Sequence, residues 1–488
     1  MPGPESLLPY TARSSTIGGL SQDSFEGSLG AHFQDRVTIN TLPDDVLVEI
    51  FHFYVNHRPI WTSGWHTLVH VCERWRYIVF ASPCRLNLRL VYTGKRPVSE
   101  MLHVWPVLPV VISHDPTSYE FSKSWGNVAG ALESEHHHRI REIGLHYIPT
   151  SHWERFATAM QKPFPKLTFL QFWVESTVTS LPDSFLGGSA PLLRHLSFNN
   201  CAFPGILKLL LSSNQLALLC LWNIPDSGYI SPQDLVTALS VMSRLKDLYL
   251  GFQSHRYPSS RPPPPLTRSV LPALTLLEFK GVHEYLEDLL AQIEAPLINK
   301  LDIQFFLDLD FVIPQLQRLI SDAEWFKTCD TAFVRTSERA IRFSMFKKTT
   351  SFPELSLEIR CRELDWQLAS LAQVRRSTFS PLSNLVQLDI VDGVSQPHWK
   401  DDMETTQWLE LLDPFTAVKD LRLSDQVAPH VCQALEELAE ERVTDVLPAL
   451  QNIFLKSLDP LESVPKYIEG FVAARKLSGH PVAVYRWG

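Results

Sequence analysis

Cysteine is scarce in this chain of 488 residues: seven thiols, an odd number, irregularly spaced and with no Cys-x-x-Cys pair. That excludes a disulfide framework and reads as a set of reduced, intracellular thiols. Long apolar runs are missing too. No stretch reaches the roughly 18 uncharged residues of a membrane span, and residues 1–35 carry no apolar core of signal-peptide type, so a cytoplasmic or nuclear protein with no membrane partner is expected. Positive charge is in short supply, with 44 Lys and Arg against 53 Asp and Glu and a formal net charge of -9. Phosphate binding needs concentrated Lys and Arg, so the expected partners are proteins and not nucleic acid. Also absent are a phosphate loop, a Gly-x-Ser-x-Gly elbow, a His-Glu-x-x-His helix and a Gly-x-Gly-x-x-Gly turn after a strand. No catalytic residue, cofactor or enzymatic activity is expected. His136, His137 and His138 are adjacent, and neighbours on one strand or loop do not converge on a tetrahedral centre, so no metal is assigned.

Apolar residues are plentiful, 45% of the chain with 13 Trp and 27 Phe, enough for a large core. Residues 1–36, rich in Ser, Gly and Pro, lack periodicity and read as a disordered leader. A helical block follows over 41–83, then an extended Val- and Leu-rich stretch over 86–112 that opens a repeat array. From Ile140 onward an aliphatic or aromatic residue recurs at the first, fourth and sixth places of a short segment. These segments begin at Ile140, Leu167, Leu193, Leu216, Leu245, Leu274, Ile298, Phe352, Leu385, Val418 and Leu450. Successive starts lie 23 to 33 residues apart except across one gap of 54, where a degenerate repeat is expected between Phe326 and Phe346. The copy Leu193, Leu196, Phe198, Cys201 and Phe203 fits the leucine-rich-repeat template best, whereas Ile224 and Val282 stand where it would place Asn or Cys. Amphipathic stretches over 205–214, 234–242 and 285–293 supply helices between strands. One strand-plus-helix unit cannot bury its apolar face alone; stacked units share a continuous core under a parallel sheet. Pro262 to Pro265 reads as a stiff loop, and Glu436, Glu437, Glu440 and Glu441 as the solvated side of a helix.

The helical block opens with Leu42-Pro43-Asp44-Asp45, where Pro43 suits the first helical position and the aspartates favour the positive end of the helix dipole. Val46, Leu47, Ile50, Phe51 and Tyr54 form a wide apolar face, and a second helix carrying Trp65, Leu68, Val69, Cys72, Trp75 and Val79 forms another. About forty residues is the lower limit for independent stability, so part of this surface is expected to await a partner. The run Leu42-Pro43-Asp44-Asp45-Val46-Leu47 with Ile50-Phe51, followed by Val71-Cys72-Glu73-Arg74-Trp75, resembles the F-box signature of proteins that recruit substrates to SCF-type ubiquitin ligases. The connection over 56–64, with Pro59 and Gly64, is longer than that family's usual turn. The resemblance implies that Leu42, Pro43, Leu47, Ile50, Phe51, Val71, Cys72 and Trp75 pack the small domain and contact a Skp-type adaptor, and through it a cullin ligase. The rest of the chain is similar to fungal F-box proteins with divergent leucine-rich repeats, especially at Asp365-Trp366-Gln367-Leu368-Ala369-Ser370-Leu371 and at Phe471-Val472-Ala473-Ala474-Arg475 through Gly479-His480-Pro481-Val482. The expected architecture is α+β overall: a disordered leader over 1–36, a small all-α F-box over 37–85, and an α/β leucine-rich-repeat-like solenoid with a C-terminal cap over 86–488, parallel strands inside and helices outside. The implied function is substrate recognition for an SCF-type ubiquitin ligase; the alternative is an F-box and leucine-rich-repeat interaction scaffold that does not promote ubiquitination.

Alternate side chains of a strand face opposite ways, so if places four and six enter the core, places three, five and seven line the inner surface. Phe169, Trp173, Trp222 and Tyr249 then become candidate substrate-binding residues, since aromatic side chains bury much area for little lost rotamer freedom. Further along, Glu278, Asp302, Glu354, Glu358 and Asp389 occupy the same rows, and a basic segment with an aromatic or aliphatic anchor would suit that gradient.

Overall fold

The computed structural model describes residues 39–56, 64–95, 97–113, 125–178, 181–254, 268–306, 312–350, 352–360, 367–372, 382, 384–393, 405–438, 442–456 and 465–487. The leader over 1–36, the connection over 57–63, the proline run over 262–265, Asp365, Trp366, Glu440 and Glu441 lie outside them.

The helical block consists of α1 (Asp44–Asn56), α2 (Gly64–Val69) and α3 (Glu73–Ala81). The single second helix expected from the spacing of Trp65 to Val79 is two helices. Cys72 is fully extended between them, and its sulfur accepts the Trp75 backbone N–H at 3.4 Å, capping α3 in the way a serine would. Leu47 and Phe51 of α1 are buried, and the Phe51 ring lies 4.7 Å from that of Trp75. Arg74 closes the bundle from outside, donating to the Leu42 carbonyl at 2.6 Å and to the Asp44 carboxylate at 2.6 Å.

Beyond it run eighteen strands: β1 (Leu90–Tyr92), β2 (Val110–Ser113), β3 (Ile140–Ile148), β4 (Phe169–Val178), β5 (His195–Cys201), β6 (Leu218–Ile224), β7 (Asp247–Phe252), β8 (Ser269–Val270), β9 (Leu276–Gly281), β10 (Ile293–Glu294), β11 (Lys300–Phe305), β12 (Thr331–Thr336), β13 (Ala340–Phe346), β14 (Leu355–Arg360), β15 (Gln387–Asp392), β16 (Asp420–Leu423), β17 (Asn452–Leu455) and β18 (Ala483–Arg486) among the described residues. Sixteen form one sheet, while β8 and β10 make a separate parallel pair. Register explains why the array coheres. Fourth-place residues align as Leu170, Leu196, Leu219, Leu248, Leu277, Leu301 and Leu355, and sixth-place residues as Phe172, Phe198, Leu221, Leu250, Phe279, Ile303 and Leu357. Both columns are buried against helices that include Ile206–Ser212, Pro232–Leu239 and His283–Gln292, each within three residues of an amphipathic stretch in the sequence. Burying each such side chain contributes roughly 1.5–3 kcal/mol, which a lone repeat could not collect.

The sheet keeps sequence order except at one place, where neighbours run β11, β14, β13, β12, β15. Here the 54-residue gap holds two strands instead of one degenerate repeat. β12 lies parallel to β15, β14 parallel to β11, and β13 antiparallel to both of its neighbours. Ser337, Glu338 and Arg339 join β12 to β13, and a loop that short permits only an antiparallel return. Ser337 and Ala340 close it with a backbone bond of 2.9 Å.

One contiguous apolar core runs from Leu47 to Val482. The seam between helical block and array is filled by Trp65, which donates from Nε1 to the Arg89 carbonyl at 3.0 Å and packs edge-on to Trp105 at 5.2 Å. At the far end Arg475, fully buried on helix Glu469–Leu477, donates to the carbonyls of Pro448 and Leu450 at 3.3 and 3.0 Å.

Candidate functional site

Two surfaces carry the candidate residues. On the helical block, burial divides the candidate motif residues. Leu47 and Phe51 are interior; Leu42, Cys72 and Trp75 are half-buried; Pro43, Ile50 and Val71 face solvent. Exposed apolar residues continue beyond that set. Val46, Ile50 and Phe53 are 39%, 41% and 64% exposed and stand at i, i+4 and i+7 of α1, one stripe of a helix. Tyr77 of α3 is 72% exposed. Thus α1 is apolar on two sides, one turned into the bundle and one to solvent.

On the sheet, third-, fifth- and seventh-place side chains lie in rows on the face away from the helices. The four aromatics do not gather in one pocket. Trp173 and Trp222 share the seventh-place row with Asn199 between them, while Phe169 lies in the third-place row and Tyr249 in the fifth. Phe169, Trp173 and Trp222 each have a local partner. Phe169 stacks on His195 at 4.2 Å between centroids, and Trp173 meets His146 edge-on at 4.6 Å. Burial lowers both imidazole pKa values, that of His195 to about 4, so both rings are neutral at pH 7 and the contacts are between uncharged rings. Trp222 lies across Gly251: a Cβ at Gly251 would come within 2.7 Å of the indole. The Lys280 ammonium stands 5.9 Å from the same indole and donates to Asn223 Oδ1 at 3.3 Å.

Next along the seventh-place row come Gln304, Glu358 and Arg342. Here the acidic gradient expected from sequence is offset at Glu358 and Glu354. Glu358, 8% exposed, accepts from Gln304, from Arg342 Nε at 2.9 Å and from Arg360 Nε at 3.0 Å. Burial alone would raise its pKa, but the hydrogen bonds and charges of Arg360 and Arg342 outweigh that and hold it low. Lys347 lies 3.4 Å from Glu354. Glu278, Asp302 and Asp389 are half to largely buried, and burial raises the pKa of each. The face therefore carries two indoles, Trp173 and Trp222, and beyond them the ion-paired Glu358 and Glu354 beside the partly to largely buried carboxyls of Glu278, Asp302 and Asp389.

No family model and no curated protein matches the chain. Among solved structures, the crystal structure of the leucine-rich repeat-containing protein LegL7 from Legionella pneumophila is similar, with 13% identity over 80% of this chain and 98% of that one at a TM-score of 0.26. The architecture described above stands on its own geometry: strand-and-helix repeats stacked side by side beneath a long, mainly parallel sheet, a leucine-rich-repeat-like solenoid. Among the described residues no helix is long and apolar enough to cross a membrane.

Some residues on these surfaces escaped the sequence pattern. Arg342 sits on antiparallel β13, which lacks the first-fourth-sixth signature. Phe53 and Tyr77 belong to no motif, though Phe53 falls on a helical stripe with Val46 and Ile50. Asn200 and Asn223, at the eighth place, turn the chain off β5 and β6 with φ of 63° and 51°, a left-handed conformation that asparagine tolerates. Asn200 Nδ2 donates back to the Val174 carbonyl at 2.8 Å, and Asn223 Nδ2 to Asn199 Oδ1 at 2.9 Å. The asparagine missing at Ile224 thus sits one place earlier.

Proposed function

We propose that this chain is the substrate-recognition subunit of an SCF-type ubiquitin ligase, its helical block docking a Skp-type adaptor and its sheet face binding a protein substrate. The observation that supports this most is the second apolar stripe of α1. Val46, Ile50 and Phe53 stand exposed next to a motif whose other members, Leu47 and Phe51, already satisfy the bundle. An exposed apolar stripe rimmed by charge, here Asp45 and Glu49, is what a helical partner would cover. In this reading the chain contributes no bond chemistry of its own. It raises the effective concentration of substrate at a ligase whose other subunits perform the transfer. Trp173, Trp222 and the polar side chains between and beyond them then form the substrate face.

Ubiquitin conjugation to whatever the full chain captures from lysate, assayed with and without added adaptor and cullin, tests the reading. Adaptor-dependent conjugation that is lost in Ile50→Asp/Phe53→Asp is the expected result. Capture of the adaptor without any conjugation would favour the scaffold role, and failure to capture an adaptor would remove both.

A further inference from the structure

Among its described residues the acidic chain has a basic recess. A cleft of about 460 Å³ opens at the edge where β3, β4 and β5 begin, lined by Arg139, Arg141, Lys166, Thr168, Arg194 and Asn214 among others, with no carboxylate among its described lining residues. Its position follows from the repeat. Arg141, Thr168 and Arg194 hold the second place of three successive repeats, and their backbones form a ladder: Thr168 N–H donates to the Arg141 carbonyl and Arg194 N–H to the Thr168 carbonyl, both at 2.8 Å. Neighbouring strands are ~4.8 Å apart, so the two arginines project from positions roughly 10 Å apart with a threonine between them.

Arg139 makes the recess more than a patch of surface cations. It is 6% exposed, and its guanidinium donates to the carbonyls of Leu108 at 2.9 Å and Pro106 at 3.3 Å. No carboxylate pairs with it among the described residues. A buried guanidinium held only by carbonyls keeps an uncompensated charge, and burial lowers its pKa accordingly. Arg141, Lys166 and Arg194 likewise have no ion-pair partner among the described residues. Over 139–215 Lys and Arg number seven against four Asp and Glu, opposite in sign to the chain as a whole. Four cations converge on a volume typical of small-ligand sites, with Thr168 and Asn214 as neutral donors.

We propose that this cleft is a binding site for a phosphate-bearing anion, with Arg141 and Arg194 as its two guanidinium arms and Lys166 and Arg139 supplying further positive charge. A phosphomonoester carries up to two negative charges and three acceptor oxygens, and guanidinium forks match such oxygens in pairs. The site is independent of adaptor docking and stands whether or not the ligase reading does. The phosphate could belong to a free compound or to a modified side chain of a bound protein, and the test separates the two.

The full chain is titrated calorimetrically at low salt with inorganic pyrophosphate, with a Gly-Gly-phosphoserine-Gly-Gly peptide, and with the same peptide unphosphorylated. Expected is one-to-one binding of pyrophosphate, the phosphopeptide or both, silence from the unphosphorylated peptide, and weakening as salt is raised. Tighter pyrophosphate binding assigns the site to free phosphates; tighter phosphopeptide binding assigns it to modified side chains. Arg141→Gln/Arg194→Gln should lose at least tenfold in affinity with an unchanged melting midpoint, and Lys166→Gln alone should weaken binding more modestly. Absence of binding by both phosphorylated probes, or equal affinity in wild type and both variants, would overturn the proposal.

Discussion

Gly251 shows how much one hydrogen atom can decide on this sheet. Because it has no Cβ, the Trp222 indole lies flat across it and reaches toward Lys280. Gly251→Ala is expected to lift the ring and lower stability by about 1–3 kcal/mol, the usual range for overpacking. A melt checks the stability, and a changed tryptophan emission maximum checks the ring; an unchanged pair would show that the indole rests elsewhere. Glu358 gives a pH-dependent counterpart. Its folded pKa is held low, so its stabilisation is present above the unfolded carboxylate range and is lost as pH falls through the depressed folded value. The melting difference between wild type and Glu358→Gln should therefore be largest near pH 7 and shrink steadily below pH ~4. A difference that grows on acidification would contradict the pairing with Arg342 and Arg360.

Helices in the array are tied to their neighbours by carboxylates. Glu287, 3% exposed on helix His283–Gln292, accepts the backbone N–H groups of Gln315 and Leu316 at 2.8 and 3.0 Å and so caps helix Pro314–Asp322 of the next unit. Glu436 does the same for Gly470 at 2.9 Å. Glu287→Ala leaves two donors unmet at a buried helix start and should cost about 1–3 kcal/mol, with Glu287→Gln milder; chemical denaturation of the three proteins checks the order. Neither tie was visible in the sequence, because the partners lie 28 and 34 residues apart and belong to different units. The repeat itself was legible, since leucines at the first, fourth and sixth places are a local pattern. β13 was not. Ile341, Phe343 and Met345 alternate as a strand should, but its direction is set by the three-residue Ser337–Arg339 connection, which contains no glycine or asparagine to announce a hairpin. The split between α2 and α3 was hidden for a similar reason: Trp65 to Val79 keeps helical spacing straight through the break that Cys72 makes.

At the scale of the whole molecule, one core joins a three-helix block to a sixteen-stranded sheet, and candidate surfaces lie on three of its parts: the outer stripe of α1, the seventh-place row of indoles and paired charges, and the basic cleft at the sheet edge. The first two were partly legible, because motif residues and strand alternation are properties of consecutive positions. The cleft was not, because Arg139, Arg141, Lys166 and Arg194 are brought together only by stacking, although the second-place spacing of Arg141, Thr168 and Arg194 carried the signal. Adaptor docking by the helical block is the central proposal, and its most direct test is calorimetric titration of the full chain with a purified Skp-type adaptor. Docking predicts one-to-one binding that Ile50→Asp/Phe53→Asp weakens at least a hundredfold while the melting midpoint stays put. No binding by the wild type, or equal binding by the variant, would contradict it.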